Sequence, residues 1–217
     1  MQSQNPHQTL IYRFIVLMIG LVFCSAGLYL TVQAGLGSNP WTVLSVGAAN
    51  YIPLTVGQTT QLIGVMLILF SYLLGEKARI GTFCNMFFIG LFYDLFDLLG
   101  LFPFRPNPLI QYGYLSAAIA CFAIGVGIYL TADFGAGPRD ALVIGLQKHL
   151  SWSYRLTRCT IEVSVLVLGY LLGGPVGIGT LIFALSSGPA IQLTIKFFSR
   201  LLTPLFGYDS SLSISEK

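Results

Sequence analysis

The sequence predicts an all-α polytopic membrane protein: six transmembrane helices in two inverted three-helix repeats, each with a short broken or re-entrant helix after its first span. Three observations predict it. The 217 residues are 55% apolar and only 9% charged, with a mean hydropathy of +0.79, far from a soluble domain. Apolar runs recur at the length of about 20 residues that crosses a hydrocarbon core. The second half of the chain also repeats the Gly, Pro, Thr and Tyr pattern of the first.

The first span covers residues 11–33. It opens with Arg13, runs longer than a signal-peptide core and lacks an Ala-x-Ala exit, and the bulky Phe23 before Cys24 argues against a lipoprotein site. It reads as a retained helix. The stretch AGLGSNPWTVLSVG then interrupts the apolar sequence. Pro40 has a fixed φ and no N–H, which suits a first helical position, and Asn39 or Ser38 can cap the amides behind it. The second and third spans follow at 57–75 and 80–102.

Residues 111–133 form the fourth span, after which GAGPRD makes a second break. A helix starts at Pro138, with Asp140 in its first turn where the helix dipole favours negative charge. The fifth and sixth spans occupy 156–173 and 178–198. The whole chain is one membrane domain, with repeat one at 11–102, repeat two at 111–203 and a tail at 204–217. From residue 209 that tail is Ser-rich and too poor in apolar groups to pack, so it is expected to be partly disordered.

The repeat is specific. Gly27, Tyr29, Leu30, Thr31, Gly35 and Gly37 recur as Gly127, Tyr129, Leu130, Thr131, Gly135 and Gly137. After a two-residue deletion the register holds through Pro40 and Pro138, Gly47 and Gly145, Gly75 and Gly173, Thr82 and Thr180, and Gly90 and Gly188. Three crossings per unit is an odd number, so the second unit enters from the opposite face, as in many secondary transporters. Threading the chain with its N-terminus in the cytoplasm puts every Lys and Arg on the inner side except Arg105, a strong positive-inside asymmetry. Both termini are then cytoplasmic.

From Pro40 and from Pro138, helices of about 13 residues would reach about 20 Å, short of the roughly 30 Å of hydrocarbon. Each either lies flat at the interface or re-enters the membrane and presents its free N–H groups to a cavity, where non-helical backbone is tolerated. Their middles are apolar on nearly every face, which suits burial.

Ionisable groups inside a bilayer are costly and mark candidate sites. Asn39, Pro40, Trp41, Asp94, Arg139 and Asp140 are the candidate solute-binding residues. Arg158 and Glu162, one turn apart, are a candidate gate or a simple i,i+4 ion pair. Trp41 and Arg139 hold equivalent places in the two breaks, so the breaks are chemically unequal. Asp97 is expected to reach the headgroups.

Small residues at Gly20, Cys24, Gly27 and Thr31, and at Ala117, Cys121 and Gly125, space out two stripes that let helices approach closely. The Ile-Gly-Thr openings of spans three and six read as packing. The four cysteines stand singly, and His7 and His149 have no ligand neighbours, so no metal or cofactor is expected. No hydrolase or phosphate-loop motif argues for an enzyme. A net charge of +3, spread along the chain, does not suggest nucleic acid.

At AGLGSNPWTVL, with YLLGEKARIGTFCNMFFIGLFYDLF following, the chain resembles the YczE/YitT-like family of bacterial integral membrane proteins. The matching positions are Gly35, Leu36, Gly37, Pro40, Trp41, Ile80, Gly81, Thr82, Gly90 and Asp94. The second half departs from the pattern, with Arg139 for Trp41 and Gln192 for Asp94. The resemblance implies a bacterial cytoplasmic membrane and supplies no substrate. The expected function is a small-solute transporter or channel with a central site between the repeats; the alternative is a non-transporting regulatory or assembly partner. The partners expected are the lipid bilayer and a small solute, with a homo-oligomer left open.

Overall fold

The computed structural model describes residues 6–103, 107–135 and 137–206, with the side chains of 6–9 and 203–206 outside the description. The expectations for the His7 side chain, for Arg105 and Lys217, and for the Ser-rich tail therefore lie outside the described residues.

Eight helices and no strand make up the described residues: α1 Pro6–Gln33, α2 Pro40–Ala49, α3 Val56–Leu73, α4 Ile80–Leu99, α5 Pro108–Thr131, α6 Pro138–Leu150, α7 Tyr154–Leu171 and α8 Ile178–Phe206. Five of them, α1, α3, α4, α5 and α8, are long and apolar enough to cross a membrane. The 18-residue α7 carries Arg155, Arg158 and Glu162 near its start. Local chemistry sets several ends. Thr55 and Gln58 close a capping box on α3. Ser153 caps α7, two residues ahead of the expected start. Gly100, with a φ of +57°, ends α4 before the expected residue 102. The last helix continues to Phe206, past the expected start of the tail.

The centre of the molecule is the crossing of α1 and α5. A Cβ on Gly20 would stand 2.6 Å from the Tyr129 amide nitrogen, and one on Gly27 would stand 2.7 Å from that of Phe122, so the two backbones nearly touch. On α5 the seam runs through Ala118, Phe122, Gly125 and Tyr129, whereas Ala117 faces outward and Cys121 is only half-buried. The expected stripe of Ala117, Cys121 and Gly125 is corrected in register because a 3.6-residue turn alternates steps of three and four, which a strict four-residue spacing leaves behind.

Around this pair α4 packs on α1, α8 on α5 and α3 on α4. The short helices cross over, α2 docking on α7 and α6 on α3. In contrast with α3 and α4, the consecutive helices α7 and α8 do not pack together.

Backbone bonds tie the breaks down. Gly179 N–H donates to Leu36 O at 2.7 Å and Ser38 N–H to Pro175 O at 3.2 Å, while Gly81 N–H donates to Phe134 O at 2.9 Å. Each Ile-Gly-Thr helix start thus satisfies a carbonyl of the break in the other half of the chain, a more particular role than packing. Gly37 adopts a φ of +102°, and a Cβ there would meet Gly177 N at 2.5 Å, so both conformation and space require glycine. Arg13 and Arg79 converge on Asp133 at 3.2 and 3.5 Å, and Lys148 pairs with Glu76.

Replacing Gly27 by Leu should force α1 and α5 apart and cost about 1–3 kcal/mol. Gly113→Leu on α5, where a Cβ would meet nothing within 4 Å, should be silent. Thermal unfolding of the two purified variants in the same detergent separates these outcomes.

Candidate functional site

Two helix starts meet inside the bundle. In the first, Asn39 caps α2 as its residue type predicts: its Oδ1 accepts from the Trp41 and Thr42 amides at 3.1 Å each, and its Nδ2 donates to Thr42 Oγ1 at 2.8 Å. Pro40 takes the first helical position. This cap fixes the direction of Trp41, which is buried among Leu67 and Ile63 of α3 and Val165 and Ile161 of α7. In the second, Gly137 stands at the N-cap of α6 and offers no side chain, followed by Pro138 and Arg139.

The Arg139 guanidinium carbon lies 5.1 Å from the centre of the Trp41 ring. The residues that hold equivalent places in the two breaks are thus in contact, and a half-buried cation–π pair of this kind is worth about 1 kcal/mol. Among the described residues Arg139 makes no ion pair and its N–H groups have no hydrogen-bond acceptor. Its sequence neighbour is occupied otherwise. Arg158 bonds Asp140 at 3.3 Å, Glu162 at 3.2 Å and the Tyr154 hydroxyl at 3.1 Å, so the expected Arg158–Glu162 pair is one arm of a four-residue cluster.

These groups line a cavity of about 560 Å³, within the size range of small-molecule sites. Its lining includes Asn39, Pro40 and Trp41, Cys24 and Tyr129 of the α1–α5 crossing, Tyr154 and Arg158 from the start of α7, and Ile195 of α8. Arg139, Asp140 and Glu162 also face it, so seven of the eight candidate residues come together.

Asp94 does not join them. It sits over the start of α3, where its Oδ1 accepts from Gly57 N–H at 2.8 Å and its Oδ2 from the Thr55 hydroxyl. Its two oxygens complete a helix N-terminus, which satisfies orphan amides and complements the dipole.

Sequence reasoning missed Asn85 and Ser187, which also line the cavity. Asn85 makes no hydrogen bond among the described residues, and its Oδ1 lies 3.2 Å from where a Cβ on Gly137 would stand. A lone amide within an apolar span was the available signal, but attention to ionisable groups passed over it.

A family model described as a family of unknown function, DUF6198, matches residues 11–196. An uncharacterized protein of Haemophilus influenzae is 36% identical over 187 residues, 86% of this chain and 84% of that protein. The uncharacterized membrane protein YczE of Bacillus subtilis is 29% identical over 199 residues, 90% and 91% of the two chains. The uncharacterized protein YyaS of the same organism is 30% identical over 191 residues, 84% and 92%. No solved structure matches the chain.

Asp94→Ala should destabilise the protein by about 1–2 kcal/mol through loss of the α3 cap. Asp94→Asn, which keeps an acceptor for Gly57, should lose less. Chemical unfolding of the three proteins in one detergent measures the order.

Proposed function

The chain belongs to this YczE-like family of bacterial membrane proteins, and on that premise we propose that it carries a small anionic solute across the bacterial cytoplasmic membrane. The contact of Arg139 with Trp41 at the wall of the cavity is the observation that carries the reading. A guanidinium whose N–H groups lack acceptors, set beside an uncapped helix start, favours a carboxylate or phosphate that can take two parallel N–H bonds. Asp140 and Glu162 make their ion pairs with Arg158 and none with Arg139.

In this reading α7 is the sixth span, its charges gathered near its first turns with Arg158 and Glu162 paired. The two halves are inverted repeats, and α2 and α6 are re-entrant helices whose starts meet near mid-depth. The crossing-over of α2 onto α7 and α6 onto α3, together with the exchange of backbone bonds between each break and the opposite helix start, supports that symmetry. The gathering of Arg13, Arg79 and Lys148 around Asp133 and Glu76 supports a cytoplasmic placement for that end and for both termini. Rocking of the halves about the α1–α5 crossing then exposes the cavity to each side in turn.

The test is uptake into proteoliposomes from a panel of radiolabelled carboxylates, amino acids and inorganic anions. Wild-type protein should accumulate at least one of them, and Arg139→Ala should lose it at least tenfold while remaining folded and monodisperse. No uptake of any member, with stoichiometric co-purification of another membrane protein, would instead favour a regulatory or assembly partner.

A further inference from the structure

The cavity is open on one side, and the sequence register explains why. In the first half, α3 and α4 close on each other through glycines: a Cβ on Gly90 would stand 2.6 Å from Gln61 Cγ, and one on Gly64 would stand 2.6 Å from Met86 Cγ. The 98-residue offset that aligns Gly47 with Gly145 and Gly90 with Gly188 puts Arg155 and Glu162 of α7 where α3 has Gly57 and Gly64. Long charged side chains replace the two glycines. A Cβ on Gly188 would accordingly meet nothing within 4 Å, and α7 and α8 stand apart. α7 gives the cavity Tyr154, Arg158, Ile161 and Glu162, α8 gives it Phe183, Ala184 and Ser187, and Leu181, Leu185 and Leu193 of α8 are exposed.

Resting on the transport reading, we propose that the solute is an amphiphilic anion, a carboxylate or phosphate head on a single alkyl chain, entering sideways from the bilayer through the α7–α8 cleft. The head goes to Arg139, with the unbonded Asn85 amide nearby. Phe122, Val126, Phe183, Ile191 and Ile195 form an apolar wall that a wholly polar ion would leave in contact with water and that an alkyl chain covers.

The test is equilibrium binding of radiolabelled palmitate and hexadecyl phosphate to the full chain in nanodiscs, with hexadecanol lacking the charge and acetate and inorganic phosphate lacking the tail. At least one anionic amphiphile should bind saturably, with each control at least tenfold weaker. Arg139→Ala should remove the preference for charge. Ala184→Trp, which puts a bulky ring into the cavity wall on α8, should weaken amphiphile binding at least fivefold while leaving elution volume and melting temperature unchanged. Equal binding of short and long anions with a silent Ala184→Trp would overturn the proposal and leave anion transport standing. Amphiphile binding without uptake would leave it standing and overturn the transport reading. Dimers cross-linked through Gly188→Cys with no amphiphile bound would show that a second copy covers the cleft, and would also overturn it.

Discussion

Backbone that leaves a helix among apolar side chains must find hydrogen bonds inside the protein, and this constraint governs the two breaks at Gly35–Asn39 and Asp133–Gly137. Where such backbone is shielded from water, an unpaired amide or carbonyl costs several kcal/mol. The answer is exchange. Leu36 O is satisfied by Gly179 and Phe134 O by Gly81, so each break is completed by a helix start from the other half of the chain. Neither half is self-sufficient, and the exchange bonds fix how the halves register against each other.

The α1–α5 crossing makes that exchange possible. Gly20, Gly27 and Gly125 bring the two helices to backbone distance, which places the end of each beside the turn that must satisfy it. With the breaks held, α2 and α6 point their first turns inward, and Trp41 and Arg139 meet. The charge arrangement is uneven by construction. Arg158 takes both nearby carboxylates, leaving the guanidinium of Arg139 with an aromatic face and no acceptor.

Much of the frame was legible in the sequence. Pro40 and Pro138 marked the starts of the two short helices, Asn39 was recognisable as a cap, and the apolar runs located the long helices, because proline geometry, capping chemistry and apolar length act locally. Even so, α1 begins five residues earlier and α8 ends eight residues later than expected. What depends on tertiary contact was not legible. Asp94 looked like a site residue because an acid in a span is expensive, yet the amide it satisfies belongs to Gly57, 37 residues away. Trp41 and Arg139 could be aligned as equivalents, but alignment says nothing about contact. The separation of α7 from α8 was written in Arg155 and Glu162 replacing two glycines, and became readable only once Gly57 and Gly64 were seen closing the matching interface.

The central claim is that the two breaks meet in a cavity inside the bundle rather than lying at the membrane surface. Single cysteines replacing Trp41 and Arg139 in a cysteine-free background test it most directly, through their reaction rates with thiol reagents of small and large size in intact membranes, taking Ser151→Cys as an exposed reference. The account predicts that both positions react with the small reagent and resist the large one, while the reference reacts with both. Reaction of both positions with the large reagent at the reference rate would contradict it.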